Sequence, residues 1–299
     1  MSASLMGLGA QAGGYDIRAD VLSGIQQASA STGVDFSYLM AQAAKESGFD
    51  PDAKAKTSSA SGLYQFVEQT WLSVVRKHGA EYGLGDMASK IKLGEDGKLR
   101  VANPTLRREI LDLRRDPTVA AAMAAEHAAD NRERLDAKLD RDVTPADLYL
   151  AHFLGLNGAL SFLRNMESHP DQGAASIFPK AAASNRSVFY RAGGTQRSLR
   201  EIYDRFESRM TSEMAAFDDL EGTSGADTVM LADVRSARGS AGGASAERAI
   251  YGQTNPGGIL SPLMLVALAS LPTGRDREEN GDNPRNSLFD RATIGNPVA

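Results

Sequence analysis

Ala43-Ala44-Lys45-Glu46-Ser47-Gly48-Phe49 closes the segment on which the reading of the whole chain turns. Upstream, Thr32-Gly33 breaks one helix, Asp35 caps the next, and Phe36, Leu39, Met40 and Ala43 form its apolar stripe. Ser47-Gly48 ends that helix. At about 100° per residue, Glu46 lies only about 20° from Leu39 around the helix axis, at the edge of the stripe. A carboxylate there is costly in its ionised form, because apolar neighbours strip its water and the helix C-terminus repels negative charge. An acid that keeps its proton near neutral pH is what glycosidic bond cleavage requires, since the leaving sugar oxygen takes up a proton as the bond breaks. Glu46 is therefore a candidate general acid, although on position alone a surface glutamate at a helix end is the simpler reading.

Working outward, Ile17, Val21, Leu22 and Ile25 recur at helical spacing and predict an amphipathic helix from Asp16 to about Ala30. Phe49 to Gly62 is rich in turn formers and predicts a loop long enough to shape a cleft. Helices are predicted over Val67 to His78, Thr118 to Leu139, Ala159 to Ser168 and Leu199 to Phe217. Another runs from Pro145 to Leu154, where Thr144 caps, Pro145 takes the first helical position and Asp147 closes a capping box. No convincing period-2 runs bounded by hairpin turns are seen, so the fold class is mainly α. The organisation expected is a flexible N-terminus over 1–14, a helical domain over 15–217, a Gly/Ala/Ser-rich linker over 218–258, a short apolar helix over 259–272 and a disordered tail over 273–299. The 259–272 helix either docks on the domain or serves as a partner-binding or membrane-surface segment; with no Lys or Arg in its apolar run, docking is favoured.

Composition excludes several chemistries. The 33 Lys+Arg against 38 Asp+Glu give a formal net charge of −5, which lacks the global positive field for non-specific nucleic-acid binding. With 0 Cys there is no disulfide, thiol nucleophile or thiolate metal site, and no two of the 4 His stand at the i,i+4 spacing of a helical metal site. No metal and no cofactor are expected. The N-terminus shows neither a basic region nor a sustained apolar run, so it does not read as a Sec-type signal peptide, and no stretch approaches the roughly 20 apolar residues of a spanning helix.

Ser61-Gly62-Leu63-Tyr64-Gln65-Phe66, followed by Thr70-Trp71, makes the sequence recognisable. Glu46-Ser47-Gly48-Phe49 and then Gly62-Leu63-Tyr64-Gln65 resemble the Glu-Ser-x-Phe and Gly-Leu-x-Gln motifs of the soluble lytic transglycosylase family. The resemblance implies a lysozyme-like helical fold acting on peptidoglycan glycan strands. It further implies cleavage of the β-1,4 bond between N-acetylmuramic acid and N-acetylglucosamine with closure of a 1,6-anhydro ring, Glu46 serving as acid and then base. One carboxyl group suffices in that reaction, because the substrate's own 6-hydroxyl and N-acetyl group replace the attacking water and the second carboxylate. Asp50 and Asp52, in an Asp-Pro turn, are accordingly read as structural.

Ser47 either bonds the carboxyl or the substrate, or merely ends its helix. Tyr64, where the family commonly carries methionine, and Gln65 are expected to line the cleft, the first with an aromatic face and the second with an amide. Trp71 reads as core. The family's Ala-Tyr-Asn-Ala-Gly run appears here as Ala151-His152-Phe153-Leu154-Gly155, so His152 stands where the family's tyrosine points at the acid, and an imidazole there suits a bond to Glu46 or the sugar. Tyr190 is a further candidate for the cleft wall. The resemblance covers about Asp16 to Phe206. Rival readings are a hydrolytic muramidase on the same scaffold and a non-catalytic glycan-binding subunit of an envelope-spanning machine. The expected site of action is the periplasm or cell envelope, with a secretion, flagellar or phage apparatus engaging the C-terminal arm as the route of delivery.

Overall fold

Residues 9–55 and 58–221 are described by the computed structural model, and helices dominate them. The chain opens with a hairpin, β1 (Ala10–Ala12) against β2 (Tyr15–Ile17), in which Ala10 pairs with Ile17. The expected flexible N-terminus thus ends sooner than residue 14. Ile17 belongs to a strand and not to the first helical stripe. Its side chain is buried in the core all the same, which is why it fits the apolar pattern. Strands of three residues are too short to show period-2 alternation, and the two-residue β3 (Lys92–Leu93) and β4 (Leu99–Arg100) escape a reading by pattern for the same reason.

Helix α1 (Ala19–Thr32) follows, then α2 (Phe36–Ser47), whose Asp35 cap accepts from the Tyr38 N–H at 2.8 Å. After the loop come α3 (Glu68–His78), a 3₁₀ turn over 79–82, α4 (Gly85–Lys90) and α5 (Pro104–Asp112). Trp71 lies fully buried on α3 and donates its indole N–H to the Ile110 carbonyl at 2.7 Å, tying α3 to α5. Helix α6 (Pro117–Asp136) is the centre of the packing, with α1, α2, α3 and α7 all laid against it. It is buried around most of its girth, and the small side chains of Ala120, Ala121, Ala124 and Ala125 let its neighbours approach closely.

Helix α7 (Pro145–Ser168) begins in the expected capping box and runs through both stretches read as separate helices. The interruption between them is a single residue, Gly155, at φ 69° and ψ 162°, a conformation that only glycine adopts without strain. Short helices α8 (Ala174–Ile177), α9 (Pro179–Ser184) and α10 (Arg186–Phe189) lead to α11 (Leu199–Ala215), which packs on α7 and α2. Asp147 anchors this contact from complete burial: it accepts from Arg141 at 2.6 Å and from the Tyr203 hydroxyl of α11 at 3.1 Å.

The boundary expected at residue 218 falls inside a further turn of helix, α12 (Asp218–Glu221). Asp218 is fastened to the domain by the Ser37 hydroxyl at 2.8 Å, and Phe217 is buried. Helix therefore continues past the composition shift. The rest of the expected linker, the 259–272 helix and the 273–299 tail lie outside the described residues. Within the described residues no helix is long and apolar enough to cross a membrane.

Candidate active site

Glu46 sits in the last turn of α2, where the chain reverses sharply. Gly48, at φ 62°, and Phe49, at φ 64°, are both left-handed, and the Gly48 N–H returns to the Ala44 carbonyl at 2.9 Å. A phenylalanine in that region is strained by about 1–2 kcal/mol. The offset is visible: its buried ring makes edge contacts with Tyr15 at 5.2 Å and Phe217 at 5.6 Å between centroids. The turn that presents the acid is thus clamped by residues from both ends of the described chain.

The Glu46 side chain is 2% exposed and His152, on α7, is 3% exposed. Their contact is direct, His152 Nε2 to Glu46 Oε1 at 2.8 Å. The other ring nitrogen, Nδ1, lies 3.2 Å from the amide nitrogen of Gln42, one turn before Glu46 on α2. Glu46 Oε2 and Gln42 Oε1 are buried without a hydrogen-bond partner among the described residues. His152 stacks on Tyr149 at 5.8 Å, and the Lys45 ammonium lies 5.4 Å from the Tyr149 ring centroid on its way to Glu213, 4.0 Å away on α11.

Burial governs the ionisable groups around the pair. Burial pushes the Tyr38 and Tyr149 hydroxyls well above the ordinary phenol range, so both stay protonated. Burial, aided by Arg209, pulls the Lys45 ammonium below its usual value against the opposing pull of Glu213 and Glu46. Arg209 and Glu213 also belong to the wall of a cavity of 830 Å³ between α10 and α11, lined further by Val188, Ile202 and Arg205.

The remaining residues predicted for the site fall elsewhere. Ser47 does not touch the carboxyl: its hydroxyl donates to the Leu63 carbonyl at 2.8 Å, joining the end of α2 to the loop before α3. Tyr64 and Gln65, expected on the cleft wall, are instead buried inside that loop. The Tyr64 hydroxyl donates to the Leu39 carbonyl at 3.3 Å from a side chain with no exposure. Gln65, left-handed at φ 48°, spends both amide hydrogens on the carbonyls of Gly62, 2.9 Å away, and Ala53, 3.1 Å away. For Gln65 the physical reason is the loop's shortage of regular backbone pairing, which leaves its carbonyls to take the amide hydrogens, whereas the Tyr64 hydroxyl ties the loop to a carbonyl of α2. Tyr190 ends α10, bridges to Gln196 and lies under the Arg186 guanidinium at 4.8 Å, so the structure gives it contacts away from Glu46.

Two residues of the cluster escaped the sequence reading. Gln42 is a polar residue four positions before Glu46 and so on the same face of α2, a spacing that could have exposed it. Tyr149 stands three positions before His152 on α7 by the same rule. Asp50 caps the Asp52 N–H at 2.9 Å, and Asp52 pairs with Arg115.

Residues 23–94 match the family model of the transglycosylase SLT domain. The match takes in most of α1, all of α2 with Glu46, the Gly62–Gln65 loop and α3. It bears out the resemblance to soluble lytic transglycosylases and the mainly α, lysozyme-like fold. His152, the partner of the acid, comes from α7, beyond the matched stretch.

Proposed function

We propose, taking as premise that this chain carries a transglycosylase SLT domain and with it a glycan-cleaving role of the lytic transglycosylase type, that its reaction is cleavage of the β-1,4 bond between N-acetylmuramic acid and N-acetylglucosamine in peptidoglycan, with formation of 1,6-anhydro-N-acetylmuramic acid. The observation that supports this most directly is the state of Glu46. One carboxyl oxygen is held by His152 at 2.8 Å, and the other is buried with no partner among the described residues. A lone acid with one oxygen anchored and one uncommitted is suited to giving a proton to the leaving sugar oxygen and then taking one back.

In this reading the Glu46 proton passes to O4 of the leaving sugar as the C1–O4 bond breaks. The resulting carboxylate then takes the proton of the 6-hydroxyl as O6 bonds to C1, so no water is consumed and the acid is regenerated. The departure from the family's third motif leaves the role of a tyrosine to an imidazole, which keeps a hydrogen bond on the carboxyl throughout. The site of action is the cell envelope, where the substrate lies, with delivery by a dedicated apparatus through the C-terminal arm. No cofactor is invoked.

The test is mass spectrometry of fragments released from purified peptidoglycan by the protein and by Glu46→Gln. Fragments lighter by one water than hydrolytic products, absent with Glu46→Gln, are the expected result. Reducing-end products of full mass would make the protein a muramidase. Binding to sacculi with no release by either protein would make it a glycan-binding subunit.

A further inference from the structure

The buried chain Gln42–His152–Glu46 has a direction. Gln42 reaches Nδ1 of the imidazole with its amide nitrogen, a group that only donates. Nδ1 must then be the unprotonated nitrogen, so that the proton of the neutral ring sits on Nε2. Nε2–H in turn faces Glu46 Oε1 at 2.8 Å and occupies it as an acceptor. This has a consequence for the acid. A carboxyl oxygen that accepts a hydrogen bond from N–H is not the oxygen that carries the carboxyl proton, which is left to Oε2, the oxygen with no partner.

We propose that Gln42 is a positioning residue that fixes the tautomer of His152 and thereby reserves Oε2 of Glu46 as the atom that transfers protons. The inference rests on the proposed role of Glu46 and adds to it which oxygen acts and what enforces the choice. The proton leaves Oε2 for the departing sugar oxygen and returns to Oε2 from the attacking hydroxyl. Oε1 holds its bond from His152 in both states, and the ring neither gains nor loses a proton.

Two features beyond packing support the proposal. Gln42 is 3% exposed, yet its carbonyl oxygen is left unpaired, a cost of about 1–3 kcal/mol that a same-shaped apolar residue would avoid. The opposite amide orientation would pair that oxygen with Nδ1–H, but it would turn the Nε2 lone pair toward Oε1 and draw the carboxyl proton there, away from the free oxygen. The imidazole plane is held from the side by its stack on Tyr149, and its edges are held by Gln42 on one nitrogen and Glu46 on the other.

The experiment is ¹⁵N NMR of the imidazole nitrogens in the uniformly labelled protein, with His152 identified among the four histidines by loss of its signals in His152→Gln. The expected result is a protonated Nε2 and a bare Nδ1, and in Gln42→Leu a redistribution toward Nδ1–H. Gln42→Met, a straight-chain replacement, repeats the test should the leucine variant fail to fold. On peptidoglycan, Gln42→Leu is expected to lower kcat by about tenfold or more with KM unchanged, as loss of one proton-transfer aid does. Nδ1–H in the unaltered protein, or an unchanged tautomer in both folded variants, overturns the proposal. These readings do not need catalysis, so a protein that cleaves no glycan would refute the proposed function and leave the Gln42–His152 linkage separately decided.

Discussion

Replacing Gly62 by alanine probes how the Gly-Leu-x-Gln loop supports the acid. Gly62 has φ +84°, and a Cβ built there would lie 1.8 Å from the Arg114 carbonyl oxygen and 2.6 Å from its carbon. Ordinary contact needs a separation about 1.5 Å or more larger. Neither side gives cheaply, because Arg114 is fastened by its guanidinium to the carbonyls of Ser59 at 2.7 Å, Phe66 at 3.0 Å and Leu111 at 2.8 Å. The left-handed backbone costs an L-residue about 1–2 kcal/mol, and forcing the contact adds about 1–3 kcal/mol. The sum is about 2–5 kcal/mol, which in a domain of this size lowers Tm by roughly 5–20 °C. Gly33→Ala is the matched control. Gly33 has φ +73° with nothing within 4 Å of its Cβ position, so it carries the backbone strain without the clash. Calorimetric melts of the three proteins decide the matter. Equal losses for Gly62→Ala and Gly33→Ala would refute the idea that the loop is seated on Arg114. Glycan release should fall in Gly62→Ala as well, because Leu63, the partner of Ser47 at the end of α2, moves with its neighbour.

His127 on α6 makes stability depend on pH. Its Nε2 is buried and unpartnered, and burial lowers its pKa from 6.5 to about 4. The unfolded chain therefore binds a proton that the native state refuses. This contribution is fully present above pH 6.5 and is lost as pH falls toward 4, by about 2–3 kcal/mol. Urea denaturation at pH 7.5 and 4.5 should show that His127→Leu loses less stability between these values than the unaltered protein by that amount; parallel losses would refute it. Gly155→Ala forces an L-residue into a glycine-only region at a cost of about 1–3 kcal/mol. Because that break follows His152 by three residues, its glycan release should drop by about tenfold or more through misplacement of the imidazole. Near-unchanged release would show that the break does not set the ring's position.

The parts of the fold that the sequence discloses are those governed by local chemistry. Asp35, Gly48 and the stripe of α2 delimit that helix within a residue, and Thr144-Pro145-Ala146-Asp147 does the same for the start of α7. Glu46 stood out because a carboxylate at the edge of an apolar stripe has no local reason to be there. What stayed hidden depends on distant partners. Nothing near Gly62 announces Arg114, 52 positions on, as its neighbour. Tyr64 and Gln65 have side chains that suit a sugar, and only the folded structure reveals that a carbonyl of α2 claims the first and carbonyls of the loop the second. His152 was legible as a partner for Glu46 only through its place in a motif, whereas Gln42 lay within four residues of the acid and was absorbed into the pattern of a buried helix.

The Tyr15–Phe49–Phe217 edge-to-face cluster joins the two ends of the described chain. A side chain on Gly13 would press against the Phe217 ring, so the hairpin that opens the described domain and the helix end that closes it are next-door neighbours beneath the acid's turn. Head and tail are therefore close enough to be spliced by a short peptide, and the order of segments can be permuted without stretching the backbone. The exposed turn of residues 94–98 between β3 and β4 offers the natural place for new termini, since it leaves the three-ring clasp and both helices of the acid uncut. A ring closed beneath Phe49 and opened at that turn would place the imidazole of α7 first, then the hairpin, then the acid on one continuous run of chain, with the two original ends no longer free to part.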